Sequence, residues 1–426
     1  MLAAGRLAGA RAYATAAAGV SMASTANGIR VAASEAGGRA GLASVSLVVN
    51  AGARFETAAS AGAAHFLKAF GFRNTQERTS FRTIREAELN GATLTAEATR
   101  ENITYRVQCF ADALPYFVHV LAEVATATKF AEHEFRDVAR TVRLEALTAR
   151  ADPVALALGG VHQAAFRCGL GNALHAPVGS PVATSDAVRQ YAHVALAAGR
   201  VAVVGTGISA DALAKLVGES RLAELPQAPA AAGGDQPAAA SFVGGTQQMY
   251  ETAGPVAHYA LAFGCEPRSA HALAALLGTQ RRLKWSGGVS PLARLAAAEG
   301  FSADAFSFAY SDAGLVGVLV AAPASQIKAA VQKTAAVIQR DLAKPAPDAV
   351  QRAVAAAAVD ADDALATHAG QLRVLEAAAL GQAGAAPAHV DAAALGAAAA
   401  AAFGSRPVAA AVALPQATAY VDTLGF

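Results

Sequence analysis

Ala63-Ala64-His65-Phe66-Leu67-Lys68-Ala69-Phe70 is the stretch on which the reading of this chain turns. It has the outline of a zinc-binding helix without its chemistry. In an inverted zinc motif, H-x-x-E-H, two histidines four apart share one helical face and bind Zn²⁺, and the glutamate between them activates the bound water. Here His65 keeps the first ligand place, Lys68 puts a cation where the base belongs, and Ala69 puts a methyl group where the second ligand belongs. One histidine does not hold a catalytic metal. By itself, His65 beside apolar Phe66, Leu67 and Phe70 reads as an ordinary helix residue, so what flanks it has to decide.

Upstream, Gly28 to Ala33 and Ala43 to Asn50 read as strands, the second with Val45, Leu47 and Val49 in alternation. Ala51 to Glu56 is a turn into the His65 helix. Downstream come a helix from Thr83 to Leu89 closed by Asn90-Gly91, then strands Thr93 to Thr99 and Ile103 to Phe110 joined by Arg100-Glu101-Asn102. Helices follow over Asp112–Thr128, Ala131–Arg150 and Pro153–Phe166, the last with proline in its first turn. A helix over Thr184–Ala197, a strand over Arg200–Gly205 and a helix over Ser209–Gly218 complete an α+β half.

Residues 226–240 have linker composition, rich in Pro and Gly with nothing to bury. Beyond them the order of elements repeats. Ser46 to Glu56 is echoed by Tyr259 to Ser269, and the strand pair about Arg100-Glu101-Asn102 by Phe306 to Val320 with Asp312-Ala313-Gly314 as its turn. The offsets, 259 − 46 = 213 and 314 − 102 = 212, agree closely enough to indicate two related halves. Helices over Ser325–Leu342, Pro347–Ala366 and Gln371–Leu380 and a last strand over Pro407–Leu414 follow.

At 426 residues the chain exceeds one typical core, given about 100–200 residues per domain. Charged residues are 15% and apolar ones 54%, so much of the surface is small and uncharged, which suits a protein covered by partners. The net charge of +2, with no basic patch interleaved with aromatics, gives no support to nucleic-acid binding. The alanine-rich run from Ala392 to Phe403 is too short to span a bilayer, so membrane association is expected only through other subunits. Cys109, Cys168 and Cys265 form no disulfide or metal pattern, and no haem-ligand or iron–sulfur spacing occurs, so no cofactor is expected. Gly205-Thr206-Gly207 is a strand-to-helix turn and no dinucleotide fingerprint, because Ala210 takes the last glycine's place. His119, His133, His162, His175 and His193 lie at no ligand spacing. Residues 1–13 carry Arg6 and Arg11, no acid, and the Leu2/Leu7 pairing of a mitochondrial targeting peptide, with cleavage expected after Tyr13.

The degenerate helix, the leader and the duplicated halves, with the stretches Asn50–Glu56, Thr99–Tyr105 and Tyr310–Leu315, together resemble the pitrilysin-like zinc metallopeptidases from about Gly28 to the C-terminus. The resemblance implies two related α+β domains, 14–225 and 241–426, each a mainly antiparallel sheet packed with helices, joined by the linker in a clamshell. Active members complete the zinc site with a glutamate on a later helix. Glu145, 76 positions past Ala69 (145 − 69), stands in that region, although between Arg143 and Arg150 it reads from the residues alone as a solvated helix position. On this resemblance His65, Lys68, Ala69 and Glu145 are vestigial positions, with no catalytic residue and no metal.

Non-catalytic members imply a structural subunit of a mitochondrial respiratory complex, peripheral on the matrix side of the inner membrane and partnered by a related core subunit and by cytochrome and iron–sulfur subunits. The alternative is the non-catalytic partner of a presequence-processing peptidase. That partner carries a glycine-rich loop where Leu277 to Ser290 has only Gly278, Gly287 and Gly288, and Arg281, Arg282 and Lys284 would repel a cationic presequence. Trp285 among those cations is a candidate interface anchor.

Overall fold

The computed structural model describes residues 20–35, 41–226, 239–278, 288–382 and 390–426. The expected leader, Trp285 and its neighbouring cations, and nearly all of the linker lie outside the described residues. Contact density divides the chain into two compact units that are not contiguous. The first gathers the described residues up to Ala146, those of 173–226, and Asp362–Gln382; the second gathers Leu147–Asn172, the described residues of 239–361, and those from 390 onward.

In the first unit β1 (Val20–Ser24), β2 (Arg30–Ser34), β3 (Leu42–Val49), β4 (Thr93–Ala98), β5 (Ile103–Phe110) and β6 (Val201–Thr206) make one sheet in the order β1-β2-β6-β3-β5-β4. β6 runs parallel to β2 and antiparallel to β3, and the other neighbours are antiparallel. The period-two alternation of β3 and β5 sends Val45, Leu47, Val49, Ile103, Tyr105 and Val107 to one face. There they pack with α1 (Ala63–Ala69) and α3 (Leu114–Thr126), through Phe66, Leu67, Phe70, Phe117 and Leu121. Between these helices runs α2 (Ser80–Leu89), and after them α4 (Glu132–Ala151). α2 begins earlier than its apolar pattern suggests because Thr79 accepts from the Arg82 N–H and so caps it.

α5 (Pro153–Phe166) is capped by Asp152, which accepts from the Val154 N–H. α6 (Ser185–Ala195) and α7 (Ala210–Glu219) complete the N-terminal half.

The second unit has β7 (Gln247–Tyr250), β8 (Val256–Cys265), β9 (Ser302–Ala309), β10 (Gly314–Pro323) and β11 (Val408–Val412), in the order β7-β11-β8-β10-β9. Again one pair, β7–β11, is parallel. Tyr259, Leu261, Phe263, Val316, Val318 and Val320 face α8 (Ala270–Leu277) and, past α9 (Pro291–Glu299), α10 (Ile327–Val337). α11 (Pro347–Leu365), α12 (His368–Ala379) and α13 (Ala392–Phe403) follow, and the alanine-rich α13 buries Leu395, Ala399, Ala402 and Phe403. Among the described residues no helix is long and apolar enough to cross a membrane.

The opposite face of each sheet is covered by a helix from the other half of the chain. Leu372, Leu375 and Ala379 of α12 pack on Ala32, Val48, Ala202 and Val204 in the first unit. Ala157, Val161 and Ala165 of α5 pack on Ala260, Ala262, Leu319 and Ala410 in the second. Each fully buried leucine or valine contributes roughly 1.5–3 kcal/mol. Gly160 lets α5 approach, since a Cβ there would lie 2.7 Å from the Tyr250 ring and 2.8 Å from Ala410 Cβ.

The repeat is real in topology, but its expected offsets are each out of register. Ser46 lies on the face of β3 away from the large core, whereas Tyr259 lies on the large-core face of β8. Core-facing residues are odd-numbered in both β3 and β8, so 213 exchanges faces. They are odd in β5 and even in β10, so 212 does the same. Matching glycines and polar residues at the turns aligned the loops and missed the pleat.

Candidate functional site

Two of the singled-out stretches meet first. Gly52 donates to the Glu101 carbonyl and Arg54 to the Arg100 carbonyl, stitching the turn after β3 to the β4–β5 hairpin. A Cβ at Gly52 would sit 2.5 Å from the Thr99 carbonyl oxygen, so only glycine allows this approach. The buried Arg54 guanidinium pairs with the Glu101 carboxylate at 2.8 Å. From that turn Glu56 reaches forward, and its carboxylate accepts from the Gly62 and Ala64 N–H groups at 2.8 Å each, fixing the start of α1. Burial outweighs those two bonds and pushes the Glu56 carboxyl up to about 7.

On α1, His65 is 2% exposed. Its Nδ1 accepts from the Ala176 N–H at 3.1 Å, so the neutral ring carries its proton on Nε2 and donates it to Glu145 Oε2 at 2.6 Å. Lys68, one turn along the same face, donates from Nζ to the same oxygen at 2.6 Å. His175 sets its ring edge-on to His65, with centroids 5.2 Å apart. Burial first, then the nearby ammonium, hold the His65 pKa below that of free imidazole against the pull of Glu145. For Glu145 burial acts upward, but the bonds from His65 and Lys68 prevail and lower its pKa. Neutral His65, cationic Lys68 and anionic Glu145 sum to zero charge.

The structure therefore brings His65, Lys68 and Glu145 to one point, and the solvated-helix reading of Glu145 gives way to a carboxylate with two fixed donors. Ala69 adds only a methyl group. The set does not fit a catalytic zinc, which takes three protein ligands and an open position. The lone pair of His65 Nε2 is protonated, a cation holds Glu145, and Ala69 cannot coordinate. Among the described residues no three His, Cys, Asp or Glu side chains come together as a metal site. No chemical step runs through a metal here. His162 is buried in the other unit, its Nδ1 donating to the Leu158 carbonyl and its Nε2 accepting from the Tyr310 hydroxyl at 2.7 Å. Sequence reasoning missed His175 and the Ala176 amide. The amide is backbone and has no signature in residue type.

Residues 31–178 match the family model of insulinase (peptidase family M16). The mitochondrial cytochrome b-c1 complex subunit 2 of Cryptococcus neoformans var. grubii is 36% identical over 342 residues, covering 78% of this chain and 77% of that protein. The chain belongs to the cytochrome b-c1 complex subunit 2 family. The subunit 2 of Yarrowia lipolytica is 35% identical over 295 residues, 69% of this chain and 68% of its own. A shorter match, 31% identical over 222 residues and 52% of this chain, is to a protein of Arabidopsis thaliana named "probable mitochondrial-processing peptidase subunit alpha-2". In this chain the M16-like fold carries the His65, Lys68 and Glu145 arrangement described above.

Proposed function

We propose that this chain is a non-catalytic structural core subunit of mitochondrial respiratory complex III, the ubiquinol–cytochrome c reductase, supporting its assembly and stability. The observation that carries this reading is the extent of the match to cytochrome b-c1 complex subunit 2, which runs through both units. The site agrees: where a zinc peptidase needs a base and a second histidine it has Lys68 and Ala69, and His65, Lys68, Ala69 and Glu145 are positions of a lost metal site. The chain is then part of an oxidoreductase complex without being an enzyme itself.

Its partners in this reading are core protein 1, cytochrome b, cytochrome c1 and the iron–sulfur subunit, within a dimeric complex. It sits on the matrix side of the mitochondrial inner membrane, held there by partner subunits, and among the described residues no helix is long and apolar enough to cross the membrane. The scarcity of charge, 15% of residues, fits a surface largely covered in an assembly. The second reading, an alpha-type processing-peptidase subunit, has the shorter match in its favour.

Composition of the native particle separates the two. After mild solubilisation of mitochondrial membranes, the chain is expected to travel with b- and c1-type haem absorbance in a large particle. Recovery instead as a small soluble pair with a zinc-bearing partner would replace the complex III reading by the processing-peptidase one.

A further inference from the structure

We propose that Lys68 is a built-in cation for this site: its ammonium, in place of a metal ion, ties α4 to α1 through Glu145. The geometry is that of a filled position. Glu145 Oε2 takes two 2.6 Å bonds, one from a neutral imidazole and one from an ammonium, on a site where the Lys68 side chain is 17% exposed and that of His65 3%. The Glu145 side chain itself is 40% exposed, so its carboxylate is only partly drawn out of water, and it is the oxygen turned toward α1 that meets the two fixed donors. Lys68 supplies one equal charge, where a dication would leave an excess.

Two features make the ammonium the better occupant. First, the Ala176 N–H points at His65 Nδ1, so the ring cannot move its proton there to free Nε2 for a metal without setting two N–H groups against each other. Second, the i, i+3 spacing on α1 brings the ammonium to Glu145 with no search for a free ion. Lys68 also lies in the last turn of α1, where a cation complements the helix dipole. The result is a covalently attached substitute whose occupancy does not depend on metal supply. This inference concerns the site alone and stands apart from the assembly reading.

The test is thermal unfolding of the full-length chain as wild type, Lys68→Met, Lys68→Arg, Glu145→Gln and the Lys68→Met/Glu145→Gln double variant, each with Zn²⁺ or with chelator. Lys68→Met and Glu145→Gln are each expected to lower Tm by about 2–5 °C. The double variant should fall no further than the worse single by more than about 1 °C, because both remove one interaction. Lys68→Arg should recover most of the loss by keeping the charge. Zn²⁺ and chelator should leave the wild type within about 1 °C. Additive losses, or Lys68→Arg falling as far as Lys68→Met, would overturn the proposal. So would one bound Zn²⁺ per wild-type chain with a raised Tm, a result that decides the matter even where a variant fails to fold.

Discussion

The two units share one run of five strands in the same order, β2-β6-β3-β5-β4 in the first and β7-β11-β8-β10-β9 in the second, with one parallel pair each, yet they differ in what they bury. The first encloses Arg54, Arg100, Glu101, Glu123 and Glu134 along with His65. Among the described residues of the second, the buried polar groups are His162, four serines or threonines, and no acid, lysine or arginine. The same architecture therefore stands without internal ion pairs. The charges of the first unit are local devices, and the fold itself does not demand them. Arg54, Arg100 and Glu101 lie at the turn before α1 and the β4–β5 hairpin, while Glu123 meets Thr75 and Arg78 and Glu134 accepts from the Asn74 N–H in the segment after α1.

The hardest way to strain that contrast is at Arg54–Glu101. Arg54→Met removes the guanidinium from beside a buried carboxylate and should cost about 3–5 kcal/mol in denaturant unfolding. The Arg54→Met/Glu101→Leu pair should regain most of that loss, as suggested by the second unit, whose described residues bury no acid, lysine or arginine. A double variant as unstable as the single would show that the first unit does need the pair.

A second contrast is in pH. Glu56 has its carboxyl raised from 4.5 to about 7 in the folded chain, so the folded state holds its proton more tightly than the unfolded. That contribution is fully present below about pH 4.5 and is lost as pH rises through 7. The stability difference between wild type and Glu56→Gln should fall by on the order of 2–3 kcal/mol between pH 4.5 and pH 8. A difference constant with pH would place Glu56 in a wetter setting.

In the second unit the corresponding stress is steric. Gly160→Val pushes α5 from Tyr250 and Ala410 and should cost about 1–3 kcal/mol, read as a lower unfolding midpoint with far-ultraviolet dichroism retained. The smallest expected effect is at the polar seam under α12. There Arg106 meets Glu376 at 3.0 Å, and burial raises the Glu376 pKa against that pull. Glu376→Gln should cost only about 1 kcal/mol. A much larger loss would mean that the first unit relies on ion pairs on both faces of its sheet.

Legibility followed the strength of local pattern. The β5 bounds and those of α5 match expectation residue for residue, because alternation marks one and the Asp152-Pro153 start the other. β1 and β7 went unread: both are edge strands with no fully buried residue, so neither has an apolar alternation to find. The apolar face of α12 shows that it is buried and says nothing of which sheet buries it. Of the site, His65, Lys68 and Ala69 were legible as a broken motif. The pairing with Glu145 depends on a contact across 80 residues, for which one sequence holds no distance information.

The exchanged helices also bear on when this protein can become itself. Arg106 and Glu376 are 270 residues apart, and one face of the first sheet stays uncovered until α12 has been made and delivered. An N-terminal half emerging first from a ribosome or a translocation pore holds all the residues of its larger core but leaves the opposite face of its sheet bare. Contacts of such range make for slow folding and a long interval of exposed β-surface. For this chain, maturation is a whole-molecule event, and truncation before α12 yields an aggregation-prone fragment in place of a stable half.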